Sequence, residues 1–330
     1  MIGSRSTLAR GFSPLIVTVI PFSSLSAQEQ VTGDTSIVFL GSSVDLLFDG
    51  AFFTEGPAVG PDGMVYFSDI TITGNTGMQA GHIWRFDPVS GEAEVYRSPS
   101  GMANGIIFDG DGRMIVAEQA DFGGRRITGT DLDTGKAVIL AGLYDGKPFN
   151  SPNDLALDDQ GRLYFTDPRY LGHEPVDQPV EGVYRVDPGG TVVLLNGEID
   201  KPNGILVSPD QRTLYVAAVG GSENAIFAFD LAEDGSVGER YTFIDFSPQR
   251  GPDGMAIDID GNIYAARAAQ PRGIYTYSPE GEELAVIPTP QQARNATFGR
   301  GQNSRTLFIT AGGSLYRIEV KKEGFHAGRW

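Results

Sequence analysis

Residues 150–170 read NSPNDLALDDQGRLYFTDPRY. Two Asn, a Pro and an Asp lead into a short apolar run, a turn holding Gly161, and a second apolar run, the pattern of a β-hairpin. The string decides the fold because it recurs. TEGPAVGPDGMVYFSD begins at Thr54, ANGIIFDGDGRMIVAE at Ala103, PNGILVSPDQRTLYVAA at Pro202, PDGMAIDIDGNIYAAR at Pro252 and RNATFGRGQNSRTLFIT at Arg294. One polar residue heads each first strand: Glu55, Asn104, Asn153, Asn203, Asp253 and Asn295, spaced by 49, 49, 50, 50 and 42 residues. Self-similarity at about fifty residues means a propeller or a solenoid array.

Two further strands follow each hairpin, for example HIWRFD then EAEVYRS, or GVYRVD then TVVLL. The sequence therefore predicts an all-β, six-bladed β-propeller with four antiparallel strands per blade. The last repeat shows no fourth strand after SLYRIEV, and SVDLLFDG at 43–50 has strand character with no other place to go. It is expected to complete the sixth blade and close the ring, which removes exposed edges. A parallel α/β fold would need helical crossovers between strands, and none of sufficient length is legible. The predicted organisation is a signal peptide over 1–27, a linker or N-terminal segment over 28–42, the propeller over 43–322 and a tail over 323–330.

Composition narrows the partners. A formal charge of −17 repels phosphate backbones and anionic lipid, which argues against nucleic-acid binding or a membrane-surface role and leaves a small-molecule substrate. The absence of Cys excludes disulfides, thiolate metal sites and a Cys nucleophile. Arg5 and Arg10 precede the apolar stretch GFSPLIVTVIPFSSLSA, interrupted by Pro14 and Pro21 and ending in small residues near Ala27. This is the pattern of a secretory signal, hence a periplasmic or secreted protein, or a cytoplasmic one if the segment is only a tail. No later apolar run reaches the roughly 18 residues of a membrane span.

In a propeller the first strand of every blade lines the central channel, so the six polar residues should meet at one mouth. The loops after the second strands, at 70–81, 168–182 and 267–273, should rim that mouth, the second as a candidate lid. Glu55 and Asp253 among amides form an oxygen-only set suited to one hard divalent cation, Ca²⁺ ahead of Mg²⁺, Mn²⁺ or Zn²⁺. The competing account is that Asn and Asp simply start strands by bonding local backbone.

Taken together, FTEGPAV, ANGIIFDGDGRMIVAE, YDGKPFNSPNDLALDDQGRLYFTDPRY, KPNGILVSPD and GPDGMAIDIDGNIYAA resemble the gluconolactonase/regucalcin (senescence marker protein) family, especially its bacterial gluconolactonase-like members. The resemblance implies a six-bladed propeller that holds one catalytic divalent metal and hydrolyses sugar lactones. It places metal ligands at Glu55, Asn203 and Asp253, with Asn153 contacting metal, its water or substrate, and gives Asp253 the general-base role. Animal members carry an Arg two residues before the equivalent of Asn153, where this chain has Ser151. Asn104 and Asn153 at the mouth, and Gln119, Tyr170, Arg169 and Arg267 at second-strand ends, are the substrate-binding candidates. Other activated esters such as phosphotriesters, or a non-catalytic metal-stabilised propeller, are the alternative functions.

Several signals carry no function. The strings DGDG, DIDG and DLDTG lack Glu at the twelfth position of an EF-hand loop and are expected to be hairpin turns. No nucleophile elbow, dinucleotide fingerprint or P-loop is present. The three His (His82, His173, His326) have no Ser neighbour suggesting a triad.

Overall fold

The computed structural model describes residues 29–77 and 80–327, so the expected signal peptide lies outside the described residues. Six antiparallel sheets form the blades of a propeller. Their innermost strands are Thr54–Val59, Ala103–Phe108, Leu155–Leu157, Pro202–Val207, Met255–Ile257 and Ala293–Phe298. The fourth strand of the sixth blade is Asp45–Asp49, paired with Ser314–Glu319. Closure thus joins the two ends of the chain, as the pattern at 43–50 predicts.

Burial follows from the stacking of sheets. Inner and second strands are covered on both faces, so Thr54–Val59 and Val65–Asp69 are buried throughout, whereas the outermost Ala93–Arg97 is partly exposed. Equivalent second-strand tyrosines, Tyr66, Tyr164 and Tyr264, are fully buried between blades. Each phenol satisfies itself by donating to an Asp of its own hairpin turn: Asp62 at 2.8 Å, Asp158 at 3.0 Å and Asp258 at 3.2 Å. Asp158 and Asp258 also accept backbone amides across the turn. The Asp- and Gly-rich strings are therefore hairpin turns.

The two flanking segments do more than the sequence suggests. Residues 29–42 are not a loose linker. Thr32–Gly33 adds a fifth strand to the fifth blade, and Val31, Ile37 and Val38 enter the core. Residues 323–327 are not a free tail either: the Glu323 carbonyl accepts from Ile259, Gly324 donates to Ser304, and Phe325 donates to Ile257. Phe325 and His326 line a channel cavity of about 130 Å³, together with Ile106, Leu155 and Arg300. Short apolar patches buried against blades already in place explain both segments, and neither carries strand alternation long enough to be read from sequence.

Near the axis the blades touch through backbone. Gly105 donates to the Asn153 carbonyl at 2.8 Å, Gly204 to that of Asp253 at 3.1 Å, and Gly254 to that of Arg294 at 2.7 Å. A Cβ at Gly204 would lie 2.6 Å from the Asp253 carbonyl oxygen. Gly204→Ala should therefore cost about 1–3 kcal/mol by overpacking, while Gly189→Ala, where a Cβ meets nothing within 4 Å, should stay within about 0.5 kcal/mol of wild type in urea unfolding. Equal effects of the two changes would contradict this packing.

Candidate metal centre at the channel mouth

Each polar residue at the head of an inner strand is fixed by its backbone, which leaves its side chain for the axis. Ser68 Oγ donates to the Asn104 carbonyl at 2.8 Å, and Thr166 Oγ1 donates to that of Asn203 at 2.7 Å. Asn153 donates its amide to Thr166 O and accepts from Gly105. Glu55, Asn104, Asn153 and Asn203 are all buried, and the Asp253 side chain retains 17 % exposure.

Their acceptor oxygens are largely unengaged. Glu55 Oε2 receives only the adjacent Gly56 amide, at 3.2 Å. Among the described residues, no donor reaches the side-chain oxygen of Asn104 or Asn153. Asn203 Nδ2 donates to the Tyr170 hydroxyl at 3.3 Å, and the same amide supports the Asp253 carboxylate, so its Oδ1 is left to accept. Burial, reinforced by Asp253, pushes the Glu55 carboxyl well above the usual range, with Arg294 opposing. Burial likewise raises Asp253 against the lowering pull of Arg294, Arg250 and Asn203. Two carboxylates held in so little water, beside amides presenting oxygen, fit a hard cation, because a cation would favour both charged forms. Among the described residues no group of three or more His, Cys, Asp or Glu gathers, so any such ion would depend on Asn oxygens as well as carboxylates.

Asn295 does not join the set. Its Oδ1 accepts from Ala296 at 2.8 Å and its side chain supports Asp154. Gly254 has no Cβ because the Asn295 amide occupies that space, 2.0 Å from where the Cβ would be.

The rim candidates separate clearly. Tyr170 belongs to the site through Asn203, and its hydroxyl donates to Val219 O at 3.0 Å. Gln119 is buried at the end of its strand, beside Ala120, whose amide donates to Ser151 Oγ at 3.1 Å. Ser151 is thus built into the wall and does not replace the Arg of animal members. Arg267 has its guanidinium engaged within the protein: it donates to Tyr277 and Gln249, both at 2.9 Å, and stacks on Phe246 and Tyr275, so it braces the fifth blade. Arg169 is a loop strut, donating to the carbonyls of Asn150 at 3.0 Å and Glu174 at 2.6 Å.

The 168–182 loop is a fastened wall. Glu174 accepts the amides of Asp121 and Phe122, at 3.0 and 2.6 Å, and Arg125 pairs with Asp177 at 2.8 Å. His173 stacks on Phe122 at this rim, with ring centroids 3.8 Å apart.

Two residues of the site escape a motif search but show in the aligned repeats. After the polar position come Gly56, Gly105, Gly204, Gly254 and Ala296, yet blade three has Asp154; before it come Thr54, Ala103, Pro152, Pro202 and Pro252, yet blade six has Arg294. Burial raises Asp154 to about 7. Arg294 Nη1 donates to Asp253 Oδ2 at 3.2 Å, and its guanidinium stacks on Phe53.

Residues 53–313 match the family described as SMP-30/Gluconolactonase/LRE-like region. The chain belongs to that family. It is 34 % identical over 255 residues to a gluconolactonase of Zymomonas mobilis, covering 71 % of this chain and 68 % of the relative. It is 26 % identical to a pentonolactonase of Haloferax volcanii, covering 82 % of this chain and 91 % of the other. A gluconolactonase structure from Xanthomonas campestris superposes with a TM-score of 0.78 at 28 % identity, over 90 % of this chain and 96 % of its own. The calcium-binding regucalcin of Agrobacterium tumefaciens, at 22 % identity and a TM-score of 0.71, covers 88 % of this chain and 98 % of its own and shares the fold.

Asp167 anchors the loop that carries Asn153, accepting the amides of Asn150 at 2.8 Å and Ser151 at 2.6 Å. Burial outweighs those amides and places its carboxyl at about 7. The folded pKa thus lies above the unfolded one, so this group's contribution to stability is complete below about pH 4 and is lost as pH rises through about 7. The stability gap between wild type and Asp167→Asn should accordingly be larger at pH 5 than at pH 8 by at least about 1 kcal/mol in urea unfolding. A gap independent of pH would contradict the assignment.

Proposed function

We propose that the protein is a divalent-metal-dependent lactone hydrolase in which Glu55, Asn203 and Asp253 hold the ion and Asn153 faces the ion or substrate. The observation that carries this is the convergence of a buried carboxylate, Glu55, a largely buried one, Asp253, and several Asn oxygens that the fold leaves without donors. An all-oxygen set of this kind favours Ca²⁺ over softer-ligand ions. Relatives named for gluconolactone and pentonolactone hydrolysis support a sugar lactone as the substrate class.

A bound divalent ion supplies electrophilic polarisation of the lactone carbonyl and charge stabilisation as that carbonyl is attacked. The chain's residues do the rest. Asp253 takes a proton from the attacking water and returns it to the ring oxygen as the acyl C–O bond breaks, with Arg294 holding Oδ2 and Asn203 supporting the same carboxylate, so its orientation is set from two sides. Tyr170 fixes the Asn203 amide. Asn104 and Asn153 present amides to substrate hydroxyls or carbonyl. An Asp held ionised is a weak base, adequate for a strained cyclic ester and poorly matched to an amide.

Metal-stripped protein should hydrolyse no sugar lactone, Ca²⁺ should restore turnover, and Asp253→Ala should lose about 10²–10⁴-fold in kcat. Wild-type rates in the Asp253→Ala protein would sink the proposal. The apolar N-terminal stretch supports export to the periplasm or medium. Mass spectrometry of the protein recovered from its native host should then show a mature chain beginning just after Ala27, and an intact Met1 would refute export.

A further inference from the structure

The charge around Asp253 is not what one ion site requires. Arg294 reaches it from blade six, and Arg250, on the loop entering blade five, lies against Gly220, next to Val219, whose carbonyl accepts from the Tyr170 hydroxyl at the mouth. Asp253 needs one guanidinium to orient it, and Arg294 is that one. Arg250 has no carboxylate within ion-pair distance among the described residues, in a chain where 42 acids outnumber 25 Lys and Arg.

Its place is built. Gly251, next in sequence, is pinned by Asn224 Oδ1 at 3.1 Å, and a Cβ on it would lie 2.1 Å from the Ala218 carbonyl. Gly220 has a left-handed φ of 84°, and a Cβ there would come within 2.8 Å of Arg250 Nη2. The Gly220 backbone is thus the bed on which this guanidinium rests. Arg294 is likewise preset by stacking on Phe53, with its centre 4.4 Å from the ring centroid, and its Nε has no partner.

We propose that Arg250 and Arg294 form an anion-accepting flank of the mouth, so that the lactones best accepted carry a carboxylate, sulfonate or phosphate substituent. The inference rests on the metal-dependent lactonase reading. When Glu55 and Asp253 hold a divalent ion, those three charges cancel, and the two guanidiniums outweigh the one neighbouring carboxyl, Asp154. Asp253 then shares its charge with the ion, so the field of Arg294 reaches a second anion while its Nη1 keeps its hold on Oδ2. Complementary charge at a partly exposed rim sets selectivity and salt dependence more than it sets the chemical step.

The test uses a pair of non-hydrolysable sugar alcohols, one anionic and one neutral. In calorimetric titrations of Ca²⁺-loaded protein at low salt, glucitol 6-phosphate should bind about tenfold or more tightly than glucitol. In Arg250→Gln that ratio should fall to within about threefold, while the glucitol Kd changes less than about twofold. Equal affinities in wild type, or an unchanged ratio in the variant, overturn the anion flank. If lactones are hydrolysed but the preference is absent, only the flank fails. If the preference persists and Arg250→Gln removes it while no lactone is hydrolysed, the flank stands and the hydrolase reading fails.

Discussion

The backbone contact between neighbouring inner strands at the axis is the constraint on which the rest depends. Where Gly105, Gly204 and Gly254 donate to the next blade, there is no room for a Cβ, and the chain is held at van der Waals limit. The residue just before each glycine has its backbone committed to neighbouring strands, so its side chain has one open direction. Ring closure by Asp45–Asp49 locks this arrangement by removing the edge through which a blade could slip. The site is in this sense a by-product of how six sheets meet.

What that geometry concentrates is unfavourable on its own. Glu55, Asp253 and Asp154 are all driven upward in pKa by burial; Asp253 raises both of the others, and Asp154 raises Glu55. Packing elsewhere in the molecule offsets part of such cost: the second-strand tyrosines Tyr66, Tyr164 and Tyr264 each find a hairpin carboxylate. Strain and unmet polar groups that persist against this background mark places where function sets the residue choice. A divalent cation would relieve the conflict directly, since it would turn repelling carboxylates into ligands.

Much of this was legible in the sequence because a repeat reports the same physics six times. The polar heads, the hairpins and the closing strand followed from spacing and alternation, and Glu55, Asn153, Asn203 and Asp253 stand where the repeat puts them. Individual side-chain destinations were not legible. Arg267 and Arg169 sit at similar strand ends to Tyr170, yet two brace loops and blades while the third reaches Asn203, a difference set by partners far away in sequence such as Gln249 and Glu174. The packed segments at 29–42 and 323–327 were hidden for a related reason, since each buries only a few side chains against surfaces made by other blades. Asp154 and Arg294 lay in plain view as the residues that break the repeat, and comparing copies column by column would have found them.

The central claim is that the oxygens converging at the mouth are a cation site. Its most direct test is a crystal soaked in Ca²⁺, with a parallel crystal in Mn²⁺ for anomalous scattering. The account predicts one strong peak at the channel mouth within oxygen-ligand distance, about 2.3–2.6 Å for Ca²⁺, of Glu55, Asn203 and Asp253. A saturating soak that leaves this position empty, or places the ion among the acidic hairpin turns, would contradict it.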